Sequence, residues 1–184
     1  MKIAAATVAS NYEELNNNQS KLVQYINENP GIRYRELLRL TSLANGVLTY
    51  HLSVLEKSHQ IKVDRNKNSK ITRYYPINIP SEESEILGCI RGNVIRQIIL
   101  FILEHDLCTF DEIVEHTKKA PSTISWYLKR LKAAAIISVQ YGHGEYQQLY
   151  KLTNRDIVAE ILYKYKESFV DKVVNNYTEM VEEF

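Results

Sequence analysis

Apolar positions recur along much of the chain with the period of an α-helix, and polar positions fill the opposite side. In the stretch ANGVLTYHLSVLEK, residues 44–57, the spacing of Leu48, Leu52 and Leu55 predicts a helix with one apolar face. We expect the apolar face to pack in a hydrophobic core, so the composition of the opposite face must have another cause. It combines small and polar side chains with almost no charge, namely Asn45, Gly46, Thr49, Tyr50 and Ser53.

Two helices are predicted before this one and a β-hairpin after it. Pro30 and Gly31 end the first helix. A polar tip over residues 66–70 separates two short apolar runs of the kind that pair as strands. The predicted elements are helices over residues 20–29, 33–40 and 44–57, and strands over 61–65 and 71–75.

The same order of elements occurs twice, because the chain aligns with itself without a gap at an offset of 76 residues. Leu52 then corresponds to Leu128 and Tyr74 to Tyr150, and the apolar pattern agrees through helices and turns alike. A register shared over this length indicates one structural unit used twice. The second copy is predicted to have helices over residues 93–105, 110–117 and 122–134, and strands over 136–141 and 147–152.

Residues 154–184 contain no Pro or Gly, and their apolar side chains recur at spacings of three and four. This pattern predicts one helix about 45 Å long with a stripe that packs against a partner helix. We expect it to form a homodimer; the alternative is that it folds back on the domains of a monomer. The predicted dimerisation residues are Leu162, Tyr165, Phe169, Val173, Tyr177 and Met180.

These patterns divide the chain into five parts. The apolar core of the N-terminal segment is too short for a secretion signal and is broken by Thr7, so the segment is interpreted as an arm or a short helix. The parts are the arm over residues 1–19, a first domain over 20–76, a linker or helix over 77–92, a second domain over 93–153, and the C-terminal helix over 154–184.

The composition, 45% hydrophobic and 24% charged residues, is that of an ordinary folded soluble protein, and no apolar run predicts a membrane span. The two cysteines, Cys89 and Cys108, form no CxxC pair, and His105 and His116 near Cys108 make only a weak constellation. We therefore expect reduced thiols in the cytoplasm and no metal or cofactor. The chain has no Gly-rich phosphate loop, catalytic carboxylate pair or nucleophile elbow, which argues against an enzyme.

The order helix, helix, turn, helix, hairpin resembles a winged helix-turn-helix domain. The segment Thr49-Tyr50-His51-Leu52, followed by Leu55, is similar to the third helix of the ArsR/MarR-like regulators, and APSTISWYLKRLKAAAIISV resembles it in the second copy. Two such domains in tandem resemble a group of archaeal transcriptional regulators. The resemblance implies a mainly α fold with small β-hairpins (α+β), carrying two tandem winged domains.

This chain departs from the family pattern at three positions. His59 and Ala135 stand just before the hairpins, where family members usually have Gly, so the helix exit is expected to differ. Tyr127 stands in the second copy where the first has His51.

The resemblance implies that the third helix of each domain enters the major groove of double-stranded DNA and that the hairpin, or wing, reaches the backbone. Tyr50 and Trp126 fall outside the apolar stripes, so we expect them to face DNA or the other domain. The candidate DNA-binding residues are Asn45, Gly46, Thr49, Tyr50, Ser53, Lys62, Arg65, Lys67, Lys70, Arg73, Lys118, Lys119, Ser122, Thr123, Ser125, Trp126, Lys129 and Arg130.

The charge distribution agrees with a DNA-facing side, although the whole chain carries only +1. Residues 21–76 contain ten Lys/Arg and four Asp/Glu, a balance of +6, whereas residues 154–184 have a balance of −3. Over residues 98–152 the balance is zero, but basic side chains bracket the third helix. Such segregation is typical of a nucleic-acid-binding protein.

The sequence therefore favours a sequence-specific transcription regulator, a repressor that competes with the transcription machinery for a promoter and is associated with the nucleoid in the cytoplasm. The alternative is an architectural or general transcription component whose winged domains bind proteins, or bind DNA non-specifically. A regulator prefers its own site over random DNA, and an architectural protein does not.

Overall fold

The computed structural model describes residues 17–66, 71–142 and 147–169. Its internal contacts divide the chain into two compact units, with the boundary between Pro80 and Ser81. The predicted fold class is confirmed, because each unit is mainly helical with one small antiparallel sheet. Lys67, Lys70, Val173, Tyr177 and Met180, and most of the predicted N-terminal arm, lie outside the described residues.

The described part of the first unit contains three helices and a three-stranded sheet of order β1-β3-β2. The predicted hairpin is confirmed, and Val63 lies opposite Tyr74 in it. Ile32 pairs with Tyr74 from the other side and adds a short strand that the sequence pattern did not predict. The elements are α1 (residues 17–28), β1 (Ile32–Arg33), α2 (Tyr34–Thr41), α3 (Asn45–Lys57), β2 (Ile61–Asn66) and β3 (Ile71–Pro76).

The second unit repeats this order and adds a helix at each end. Its sheet has the order β4-β6-β5, and Cys108 pairs with Tyr150 as Ile32 pairs with Tyr74. The elements are α4 (Ser81–Ile90), α5 (Asn93–His105), β4 (Cys108–Thr109), α6 (Phe110–Thr117), α7 (Pro121–Ala133), β5 (Ile137–Tyr141), β6 (Gln148–Leu152) and α8 (Arg155–Lys164).

The 76-residue repeat extends to single backbone angles. Ser42 and Lys118, at the ends of α2 and α6, both adopt left-handed conformations, with φ of 53° and 52°. His59 and Ala135 do the same before β2 and β5, with φ of 54° and 52°. A different helix exit was expected at these two positions, and that expectation is wrong. Both residues adopt the left-handed conformation that Gly favours, although their side chains make it strained.

The core of each unit is built on the predicted apolar stripe of its third helix. Leu48, Leu52 and Leu55 are buried in the first unit, against α1 residues such as Leu22 and Ile26. The equivalent residues Ile124, Leu128 and Leu131 are buried in the second. The other side of both helices is left at the surface.

The predicted linker over residues 77–92 contributes α4 to the second unit. Helix α4 contacts α5 and α8, and Leu87 and Ile90 on it are buried. In the part of the chain that the structure describes, no single helix is long and apolar enough to cross a membrane. Helices α4 and α5 together reach the length and apolar composition of a membrane span, but the angle between them at the break is 107°.

The prediction of one long C-terminal helix is wrong, because α8 ends at Lys164 and a short 3₁₀ turn follows over Lys166–Ser168. Leu162 and Phe169 are buried within the second unit, and the Tyr165 hydroxyl donates a 2.9 Å hydrogen bond to Glu83. These three predicted dimerisation residues therefore make contacts inside the second unit, and the homodimer stays a prediction.

Candidate nucleic-acid interface

The start of α3 is held by Tyr34, the first residue of α2. The Tyr34 hydroxyl lies 2.6 Å from Asn45 Oδ1 and 3.0 Å from Thr49 Oγ1. Thr49 donates in turn to the Asn45 carbonyl oxygen at 2.9 Å. The network fixes the two side chains and leaves the Asn45 amide N–H groups without a partner among the described residues. Sequence reasoning missed Tyr34, because its role depends on how α2 packs against α3.

The exposed face of α3 is open around Gly46. A Cβ atom built on Gly46 would meet nothing within 4 Å, so packing inside the unit does not require glycine there. Glycine in a helix costs about 1 kcal/mol relative to alanine, so its presence suits the close approach of an outside group. Tyr50 is 56% exposed nearby, while Ser53 is half-buried.

The corresponding face of α7 is polar and basic. Ser122, Ser125 and Lys129 are exposed, and Thr123 is half-buried. Trp126 is 53% exposed, and the Arg130 guanidinium lies over its ring at 4.7 Å from the centroid. Lys118 and Lys119, in the turn before the helix, are also exposed, and α7 has no acid in its first turn. This surface therefore presents hydroxyl groups, an aromatic face and cations together.

Arg73 is not available on the surface of the first wing. Its side chain is buried, and its Nη1 atom donates a 2.8 Å hydrogen bond to the carbonyl oxygen of Gly31. Gly31 has φ of 78° and lies in the turn between α1 and β1. The predicted DNA contact is thus a residue that ties this turn to the sheet.

Arg65 is exposed, but its charge is already paired. Both of its terminal nitrogens lie 2.5 Å from the carboxylate oxygens of Glu56 at the end of α3. This bidentate bond lowers the pKa of Glu56 and raises the pKa of Arg65. Lys62 is half-buried on β2. The described part of the first wing therefore offers less free positive charge than the sequence suggested.

His51 is fully buried behind the exposed face of α3. Neither ring nitrogen has a hydrogen-bond partner among the described residues, and the Tyr50 ring packs edge-on at 5.4 Å. Burial lowers the pKa of His51, because the charged form would lose its hydration. At neutral pH the side chain is thus an uncharged core group.

The weak metal constellation of the second unit is a packing cluster. The rings of His105 and His116 each lie 4.3 Å from the ring of Phe101. Cys108 is buried, and burial raises its thiol pKa to about 11, which disfavours the thiolate that binds metals. Within residues 17–66, 71–142 and 147–169, no group of three or more His, Cys, Asp or Glu side chains could hold a metal ion.

Models of known domain families match both copies of the repeat. Residues 16–87 match an N-terminal HTH domain, and residues 93–139 match the arsR family of bacterial regulatory proteins. Neither is a family of enzymes, in agreement with the sequence analysis.

One curated relative is an uncharacterized HTH-type transcriptional regulator from Methanocaldococcus jannaschii, 27% identical over 123 residues. The match covers 67% of this chain but 30% of the relative, so the chain spans about a third of that protein's length.

Solved structures of ZitR from Lactococcus lactis are more distantly similar. One, described as a zinc-responsive MarR family member, has a TM-score of 0.34 and 19% identity and covers 76% of this chain and 84% of its own. A ZitR mutant in complex with DNA has a TM-score of 0.30 and 17% identity, with coverage of 77% and 94%. Scores this low support no conclusion about this chain. The family matches agree with the repeated fold: each copy of the repeat carries a helix-turn-helix domain, and the second copy is similar to the arsR family of bacterial regulatory proteins.

Proposed function

We propose that this protein is a DNA-binding transcription regulator that reads the major groove with the exposed faces of α3 and α7. One observation carries the proposal: both third helices bury an apolar stripe, expose small polar side chains in their N-terminal halves (Asn45 and Thr49 on α3, Ser122 and Ser125 on α7), and have no acid in their first turns. Base edges are read by hydroxyl and amide groups, and phosphates by cations and backbone N–H groups. The helix-turn-helix family matches support the same function.

The two faces suit different parts of this task. On α3, the pre-positioned Asn45 and Thr49 favour hydrogen bonding to bases, because the Tyr34 hydroxyl donates to Asn45 Oδ1 and the Thr49 hydroxyl donates to the Asn45 carbonyl oxygen. On α7, Lys129 and the lysines at 118 and 119 favour phosphate contacts. Sequence preference therefore comes mainly from the first domain, and salt-dependent affinity mainly from the second.

The proposed regulator acts as a repressor, since a protein bound across a promoter excludes the transcription machinery. A homodimer remains part of this proposal only through Val173, Tyr177 and Met180, because Leu162 and Phe169 are buried in the second unit. We place the protein in the cytoplasm with the nucleoid, where its DNA target is found.

Variants of the two helix faces test the proposal in the full chain. The DNA is the duplex that the protein enriches from a random pool, and binding is followed by fluorescence anisotropy at several salt concentrations. Lys129→Ala should reduce the salt slope by about 0.9 through the loss of one phosphate contact, and Asn45→Ala should change the preferred sequence. Lys21→Ala is the matched control, because it removes an exposed cation from α1 and should leave both unchanged. Variants of both faces that behave like this control would contradict the proposal.

A second candidate is an architectural component whose first domain binds a protein. Three large apolar side chains on α2 and α3 favour it: Leu40 is 48% exposed, Val47 41% and Tyr50 56%. Exposed apolar groups of this size are common at protein interfaces. In this case the random pool would enrich no sequence, and Val47→Ser would weaken capture of the partner without changing DNA affinity.

A further inference from the structure

An open cavity of about 260 Å³ lies in the second unit, where α5 ends, the hairpin β5-β6 passes and α8 begins. Ile102, Leu107 and Leu152 give it an apolar part. Its polar part is formed by Asp106, Gln140, Lys151 and Arg155. The cavity uses none of the residues assigned to DNA.

The repeat shows what creates this cavity. In the first unit the residue equivalent to Lys151 is Tyr75, which is buried. The Tyr75 ring comes so close to Gly31 that a Cβ atom there would lie 3.1 Å from it. In the first unit the Tyr75 ring therefore occupies this place, whereas the second unit has two cations at its edge.

The wall of the cavity contains a strained backbone turn at Asp106. This residue has φ of 60° and ψ of −46°, and the Leu107 N–H donates to the His105 carbonyl oxygen at 2.6 Å. A γ-turn of this hand is rare for a residue with a side chain, and strain of this kind clusters at ligand sites. The turn places Asp106 and Leu107 side by side at the cavity.

The charges at the cavity favour an anion. Arg155 forms an ion pair through Nε with the Asp106 carboxylate at 3.0 Å, and its Nη2 atom donates a 3.0 Å hydrogen bond to the Leu103 carbonyl oxygen. A guanidinium has five N–H donors, so three of them have no partner among the described residues. Lys151 is exposed and also has no partner there. Two cations and one carboxylate leave a net charge of +1 beside the apolar lining.

We propose that this cavity binds a small organic monoanion, a carboxylate with a short apolar body. The carboxylate accepts hydrogen bonds from Lys151 and Arg155, and the apolar body packs against Ile102, Leu107 and Leu152. The volume is slightly below the range of about 300–1,000 Å³ usual for drug-sized ligands, so the ligand is a small one. Such a site would let the second domain bind an effector molecule, which the first domain cannot do.

The experiment measures binding to the full chain without DNA, so its result is independent of the DNA-binding proposal. Benzoate and hexanoate are the probes, benzyl alcohol and hexanol are their neutral matches, and inorganic phosphate is an anion without an apolar body. Amide chemical shifts of Leu107, Gln140 and Lys151 are followed during each titration. We expect saturable shifts with the two acids and at least about tenfold weaker binding of the alcohols and of phosphate.

Three variants locate the site. Lys151→Gln should weaken benzoate binding about tenfold, since one charge-assisted hydrogen bond is lost. Lys151→Tyr introduces the residue of the first unit and should abolish binding by filling the cavity. Lys132→Gln removes an exposed lysine from α7 and should leave binding unchanged. If Lys151→Tyr fails to fold, the comparison of benzoate binding by Lys151→Gln and Lys132→Gln still tests the site.

Three results would overturn the proposal. These are shifts that do not saturate with either acid, alcohols or phosphate that bind as tightly as the acids, and equal binding by Lys151→Gln and Lys132→Gln.

Discussion

At the scale of single residues, the two arginines of the first wing have opposite roles. Arg73 is buried and bonded to a backbone carbonyl, whereas Arg65 pairs with Glu56 at the surface, where its side chain is 61% exposed. Buried charged hydrogen bonds are costly to break, and exposed ion pairs contribute little. The first arginine therefore matters to stability and the second does not.

We expect Arg73→Ala to lower the free energy of unfolding by about 2 kcal/mol, because the Gly31 carbonyl loses its donor. Arg65→Ala should change it by less than about 1 kcal/mol. Urea unfolding of the full chain measures both. Equal effects of the two substitutions would contradict the assigned roles.

His51 predicts a loss of stability in acid. Burial keeps its folded-state pKa below the ordinary histidine pKa of about 6.5, so below that pH the unfolded chain binds more protons than the folded one. Stability should thus be constant above about pH 6.5 and fall below it, with a limiting slope of about 1.4 kcal/mol per pH unit. Urea midpoints between pH 5 and 8 measure this.

The control for His51 is a second histidine of the same unit. His51→Phe should remove part of the acid slope, while His59→Asn, at an exposed position, should leave it. An unchanged slope in His51→Phe would exclude the buried ring as its source.

Residue patterns alone could not separate buried from exposed cations. Arg73 and Arg65 lie on strands whose alternation of polar and apolar positions is interrupted, so the inward face was not evident. The turn at Gly31, which the Arg73 side chain reaches, is 42 residues away in the chain. The exposed positions of Tyr50 and Trp126 were predictable, because the apolar stripes of α3 and α7 were complete without them.

At the scale of elements, the left-handed turns before β2 and β5 lower the stability of both copies, because neither turn has glycine. A residue with a side chain costs about 1–2 kcal/mol in this conformation, which glycine adopts freely. Each turn joins the third helix to the hairpin, so the positions of these two elements fix the backbone conformation of the turn.

We expect Ala135→Gly to raise the free energy of unfolding by about 0.5–1 kcal/mol, after allowance for the greater freedom of glycine in the unfolded chain. Ala159→Gly is the matched control inside α8 and should lower it by about 1 kcal/mol. Denaturant unfolding compares them. A loss of stability in both variants would contradict the assigned turn conformation.

The end of α8 is an element boundary that only tertiary contacts explain. No Pro or Gly follows Lys164 to stop the helix. Arg91 donates to the Ser168 carbonyl oxygen, and the guanidinium groups of Arg91 and Arg96 lie 5.3 Å and 5.1 Å from the Phe169 ring centroid.

The strands β1 and β4 were missed for a different reason, since two residues are too few to show a period.

Phe169→Ala should lower the free energy of unfolding by about 3 kcal/mol, since it removes a buried ring and its two cation contacts. Thermal unfolding measures the loss, and light scattering measures the mass. The mass should stay that of the parent protein. A fall to half the parent mass would show instead that Phe169 belongs to a dimer interface.

At the scale of the whole molecule, one unit has been used twice and adapted differently each time. The first copy presents a pre-positioned polar helix face and buries Tyr75 at the place of the cavity. The second presents a basic helix face and opens a cavity beside Lys151 and Arg155. The repeat was visible in the sequence, whereas the cavity and the use of the C-terminal segment depended on packing.

The central claim is that these two helix-turn-helix units bind a specific DNA sequence. The most direct measurement is the dissociation constant of the full chain for its best selected duplex and for a scrambled duplex of the same length and composition, at one physiological salt concentration. We predict that the selected duplex binds about 10³-fold more tightly or better. Equal affinity for the two duplexes would contradict the claim.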